Sequence, residues 1–90
     1  MCRNIRTLFN FEPPASDEEV QAAALQFVRK LSGYNAPSQA NLASFERAVR
    51  EVSASARRLV DALVTTAPAR DRAVVAAQAR ARALKRYGAP

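Results

Sequence analysis

The residues of this chain with the plainest chemical use are six cations near its end. Arg70, Arg72, Arg80, Arg82, Lys85 and Arg86 lie between Thr65 and Pro90 against one acid, Asp71, a net of +5. Residues 1–64 carry eight basic and seven acidic residues, a net of +1. Guanidinium groups neutralise phosphates and fork onto them through parallel hydrogen bonds. On a helix, Arg72, Arg82, Lys85 and Arg86 fall within an arc of about 140°, with Arg80 near the edge of the apolar stripe. A cationic face of this kind suits a nucleic-acid backbone. Gln78 is the only amide in the segment and Tyr87 the only aromatic. Nothing there reads bases, and DNA is not told from RNA. The plainer account is a solvated face in an arginine-rich, alanine-rich chain. An acidic protein or a membrane surface would also answer to the charge. The membrane is disfavoured because the apolar side lacks Trp, Phe and a run of Leu.

Cys2 is the second candidate. Removal of Met1 would leave its thiol beside the new α-amine, with Arg3 and Arg6 close in sequence. Such surroundings lower a thiol pKa. The pair would then serve as nucleophile and base, as a redox sensor or as a soft-metal chelator. An ordinary small second residue explains Cys2 equally well. The carboxylates form no catalytic pair. Asp17, Glu18 and Glu19 suit the positive end of a helix. Glu46 with Arg50, Arg47 with Glu51, and Asp61 with Arg57 or Arg58 have the spacing of surface ion pairs. Tyr34, Asn35, Pro37 and Ser38 would line a small site between helices, but a turn with a capping serine accounts for them. Gly33 and Gly88 form no phosphate-cradling loop.

The chain has no histidine, which removes every His-based triad, dyad or metal site. One cysteine excludes an internal disulfide. No apolar run approaches the roughly 18 residues of a membrane span. Arg3, Asn4, Arg6 and Asn10 interrupt any signal sequence. A cytoplasmic protein is expected. The 90 residues are 49% hydrophobic and 24% charged, which fits one small folded domain. Much of the apolar content is alanine and tryptophan is absent. The core must therefore be thin, and self-association is expected.

The elements that would position these residues are helices. Residues 1–15 form an arm in which Ile5, Leu8, Phe9 and Phe11 suggest one apolar helical turn, closed by Pro13-Pro14. Ser16 with Glu19 is a capping box opening a helix over 16–32. Its stripe is Val20, Ala23, Ala24, Phe27, Val28 and Leu31, and Gly33 is its stop. A second helix over 39–64 begins at Ser38 or Asn41, either suited to cap it. Leu42, Phe45, Val49, Val52, Ala56, Leu59 and Leu63 give it a heptad seam. That seam suits an intramolecular bundle, or else a dimeric coiled coil. Pro68 suits the first turn of a third helix over 68–87. Val74, Ala77, Ala81 and Leu84 mark one side of it, a weak stripe that docks loosely or projects. Strand signals are absent. The predicted core is Phe9, Val20, Phe27, Val28, Leu31, Phe45, Val49, Val52, Leu59 and Leu63.

The strings Met1-Cys2-Arg3-Asn4-Ile5-Arg6 and Leu8-Phe9-Asn10-Phe11-Glu12-Pro13-Pro14 are distinctive. So are Ala22 to Lys30 with Ser32-Gly33, and Thr65 to Arg72 with the basic tail. Across these, and so over essentially its whole length, the chain resembles a bacterial family catalogued as domain of unknown function 2277. The resemblance implies a small stand-alone bacterial cytoplasmic protein and brings no catalytic residues.

The sequence thus reads as all-α: a small three-helix bundle with an N-terminal arm, one helical domain over 1–90. It favours a non-enzymatic binding module without a cofactor or metal. Its contacts to nucleic-acid phosphates would come from Arg72, Arg80, Arg82, Lys85 and Arg86, with Arg70 secondary. The alternatives are thiol chemistry at Cys2, or a helical protein-interaction module that forms a homodimer through the second helix.

Overall fold

A computed structural model describes residues 5–87. The fold is all-α, with three helices and one minimal pair of strands among the described residues. Helix α1 spans Asp17–Ser32, α2 spans Leu42–Ala62 and α3 spans Arg72–Tyr87. A single 3-10 turn, Gln39–Asn41, precedes α2.

The start of α1 follows its sequence signals. The Glu19 backbone N–H donates to Ser16 Oγ at 3.2 Å, and Ser16 N–H donates to Glu19 Oε1 at 3.0 Å. This reciprocal pair satisfies two of the N–H groups a helix start leaves open. At the other end Gly33 takes φ 78°, and its N–H donates to the Arg29 carbonyl. The start of α2 differs from expectation. Neither Ser38 nor Asn41 caps it through a side chain. Asn41 Nδ2 instead donates to Ser38 Oγ at 2.9 Å, so the two candidate caps satisfy each other.

Helices α1 and α2 form an antiparallel hairpin. Arg57, late in α2, reaches Ala15 and Asp17 at the start of α1. Phe27, Val28 and Leu31, late in α1, share a hollow with Ser44, Phe45 and Val52. The buried residues, among those described, are small: Ala15, Val20, Ala24 and Val28. Phe9, Phe45, Val49 and Val52 are half-buried. Four expected core residues prove exposed: Phe27, Leu31 (72% exposed), Leu59 and Leu63. In α1 the contact line follows Val20, Ala24 and Val28, a strict four-residue step, which leaves the large side chains at its edge. In α2 a heptad stripe slips about 20° per repeat on a straight helix. By the third repeat Leu59 and Leu63 have turned off the contact. Ser53, Arg57 and Val60 take their place as half-buried residues.

The arm is not helical over residues 5–10. It ends in strand β1, Phe11–Glu12, which pairs in parallel with strand β2, Arg70–Asp71. No strand was expected. Asn10 organises the bridge. It adopts φ 66°, a left-handed conformation that asparagine tolerates better than most residues. Its carbonyl accepts from Arg70 N–H at 2.9 Å, and its Nδ2 donates to the Pro68 carbonyl at 3.1 Å.

This bridge moves the start of α3 from Pro68 to Arg72. Asp71 caps the helix, its Oδ1 accepting from the N–H groups of Ala73 (2.8 Å) and Val74 (3.1 Å). The sequence stripe of α3 faces solvent: Val74 is 52% and Leu84 59% exposed. Arg72 and Val75 are the half-buried positions, and every described side chain from Ala76 to Arg86 is exposed. The molecule is consequently open. Its radius of gyration is 16.3 Å, whereas about 12 Å is usual for this length. It exposes 7318 Å², against roughly 5,200 Å² for a compact monomer of its mass.

Candidate functional site

Two arginines tie the arm and α3 to the hairpin. Arg72 presents both terminal nitrogens to Glu19, Nη1 to Oε2 at 2.8 Å and Nη2 to Oε1 at 2.9 Å. Its Nε donates to the Pro13 carbonyl. The capping glutamate of α1 therefore also anchors α3. The Arg72 hydrogen bonds, followed by that from the Ser16 backbone, pull the Glu19 carboxyl down to about 2 from an ordinary 4.5. Glu19 in turn raises the pKa of Arg72.

Arg57, late in α2, acts similarly at the junction of the arm with α1. It donates to Asp61 at 2.7 Å from Nη2, and from Nη1 to the Ala15 carbonyl at 3.0 Å. Its hydrogen bond to Asp61 raises its pKa. The expected Arg47–Glu51 pair forms at 3.4 Å, on the surface. Among the described residues, Glu46 and Arg50 do not close within 4 Å.

The remaining cations of α3 have no such partners. Among the described residues, no carboxylate lies within 4 Å of Arg70, Arg80, Arg82, Lys85 or Arg86. Arg70 lies over the Phe11 ring, 4.9 Å from its centre, with Arg72 at 5.6 Å. Between the arm and the first half of α3 runs a cleft of about 740 Å³. Its lining carries Arg6, Arg70, Arg72 and Arg80, with Glu19 the one acid among the described residues. The apolar part of its lining is Leu8, Phe11, Val75, Ala76 and Ala79. At about 100° per residue Arg86 projects within about 20° of Ala79, and Arg82 within about 20° of Val75. The cleft and the distal basic face thus run into each other along one side of α3.

The structure brings Arg80 into the cleft with Arg70, and leaves Arg82, Lys85 and Arg86 exposed on the helix beyond it. Arg72 stands apart, committed to Glu19 and Pro13. Arg6 joins the cleft, and Arg57 ties α2 to Ala15 and Asp17; sequence reasoning assigned neither role. A signal for Arg57 was present in its spacing to Asp61. None existed for Arg6, because its neighbours across the cleft are more than sixty residues away. Cys2 and Gly88 lie outside the described residues.

The chain belongs to the family described as an uncharacterized conserved protein, DUF2277, whose model matches residues 1–78. The match takes in the arm, the hairpin, the bridge and the first part of α3, and stops before Arg80. No curated protein and no solved structure matches the chain. No helix among the described residues is long and apolar enough to cross a membrane.

Proposed function

We propose that this protein is a non-enzymatic binding module for nucleic-acid phosphates, with the distal half of α3 as its contact surface. The observation that carries this reading is the contrast among its arginines. Those that hold the fold, Arg57 and Arg72, are paired with acids. Arg80, Arg82, Lys85 and Arg86 are exposed and, among the described residues, unpaired. Unopposed like charges on one element favour an anionic partner and steer it electrostatically. Arg80, Arg82, Lys85 and Arg86 supply the phosphate contacts, and Arg72 positions the helix. Backbone contact of this kind carries little sequence preference. Fluorescence anisotropy of labelled duplex DNA and RNA, with the full chain and with a variant truncated after Ala79, tests it. Salt-sensitive binding lost on truncation supports the reading; no binding at low salt refutes it.

The openness of the molecule supports a second reading, a homodimer. The chain exposes roughly 2,000 Å² more than a compact monomer, while a standard interface needs about 800 Å² per partner. Phe27, Leu31, Leu59 and Leu63 supply large exposed apolar side chains on the hairpin. Sedimentation velocity at rising concentration decides it: a persistent monomer removes the dimer.

A further inference from the structure

The cleft between the arm and α3 has features that an extended basic helix does not require. Arg6, Arg70 and Arg80 come from three different elements, the arm, β2 and α3, and converge on one hollow. Arg72, the fourth arginine there, is already neutralised by Glu19 at 2.8 Å. Three guanidinium groups around one concavity repel each other, and a concave wall focuses their field. An anion seated between them relieves that repulsion. The volume, about 740 Å³, falls in the range of small-molecule sites.

We infer that this cleft is a binding site for a small phosphomonoester with an aliphatic body. A phosphomonoester carries about −1.5 to −2 charges at neutral pH and three acceptor oxygens, which matches three forked donors better than a carboxylate does. Thr7 adds one neutral hydroxyl at the rim. The Phe11 ring already carries Arg70 at 4.9 Å and Arg72 at 5.6 Å. The lining therefore offers aliphatic contact from Leu8, Val75 and Ala79 rather than stacking for a base. The inference shares Arg80 with the nucleic-acid reading but does not rest on it, because Arg6 and Arg70 lie outside the distal face.

The test is calorimetric titration of the full chain at low salt with butyl phosphate, butyrate and adenosine monophosphate. Butyl phosphate should bind saturably, at least about tenfold tighter than butyrate and tighter than the nucleotide, and should weaken below about pH 6 as the phosphate loses its second charge. Arg6 and Arg80 are exposed and make no ion pair among the described residues, so Arg6→Gln with Arg80→Gln leaves the framework intact, as far-UV circular dichroism would verify. That double variant should lose about tenfold or more in affinity, while Arg82→Gln/Lys85→Gln/Arg86→Gln should change it less than about twofold. No saturable binding of butyl phosphate overturns the inference, as does equal binding of butyrate. So does a cleft variant that binds like the parent. Butyl phosphate binding that is lost only in the distal triple variant overturns the cleft while leaving the α3 surface standing. Saturable cleft binding with no affinity for DNA or RNA supports the cleft and removes the nucleic-acid reading. Competition by an oligonucleotide with a 5′-phosphate, and not by its 5′-hydroxyl counterpart, would place the phosphomonoester on a nucleic-acid end. Absence of competition leaves it on a free small molecule.

Discussion

The salt dependence of nucleic-acid binding separates a count of charges in the sequence from a count of charges free in the structure. Residues 65–90 contain six cations. The structure commits Arg72 to Glu19 and sets Arg70 in the cleft, on β2 rather than on α3. Four remain on the outer part of α3: Arg80, Arg82, Lys85 and Arg86. Each neutralised phosphate on duplex DNA contributes about −0.9 to the slope of log affinity against log salt. Four give a slope of about −3.6, a loss of roughly 150-fold between 50 and 200 mM salt. On a single strand, at about −0.7 per contact, the slope is about −2.8 and the loss roughly 50-fold. All six cations would give about −5.4 on duplex. The measurement is anisotropy of a labelled duplex and a labelled single strand over that salt range. Arg72→Gln should leave the slope unchanged, whatever it does to stability. Arg82→Gln/Lys85→Gln/Arg86→Gln should reduce the duplex slope to about −0.9. A slope shallower than about −1 for the parent, or one that the triple variant leaves intact, refutes the assignment of phosphate contacts to α3.

Further expectations concern the framework. Val20, 2% exposed, loses two methyl groups on Val20→Ala, which should cost about 2 kcal/mol and lower the melting temperature by roughly 10 °C. Leu31→Ala, at a site 72% exposed, should stay within about 0.5 kcal/mol; thermal melts showing equal losses would return Leu31 to the core. Ser53 Oγ is buried and, among the described residues, has no hydrogen-bond partner. Ser53→Ala should be neutral or stabilising by roughly 0.5 kcal/mol in urea titration, through relief of the unpaired hydroxyl and better helix propensity. Glu19 ionises near 2 when folded and near 4.5 otherwise. Between those values the unfolded chain binds more protons, so stability rises with pH there. The contribution of Glu19 is complete above about pH 4.5 and is lost as pH falls through about 2. Melts from pH 5 to 2 should show a shallower decline for Glu19→Gln than for the parent; parallel declines would mean that the Arg72 pair does not hold.

The helical hairpin was legible because its signals are local. The capping box at Ser16 and Glu19, and the stop at Gly33, each lie within a few residues of the backbone groups they satisfy. The distribution of large side chains was not. Periodicity assigns a residue to a face, but which part of that face is covered depends on how the neighbouring helix crosses it. Phe27 and Leu31 share the right stripe and still lie at the margin of the contact. The candidate site divides in the same way. That the tail is basic is written in its composition. That Arg72 is anchored while Arg82, Lys85 and Arg86 are exposed follows from where Glu19 sits after folding.

By itself, then, the sequence determined the class of fold, the helix that starts at Ser16, the absence of histidine chemistry and the concentration of charge beyond Thr65. Only the tertiary structure decided the start of α3, the pairing of β1 with β2 and the cleft that gathers Arg6, Arg70 and Arg80. The physical reason is range. Caps, stops and helical periods are short-range interactions between near neighbours. The bridge from Asn10 to Pro68 and Arg70 joins groups about sixty residues apart, and such contacts exist only once the chain has closed the loop between them.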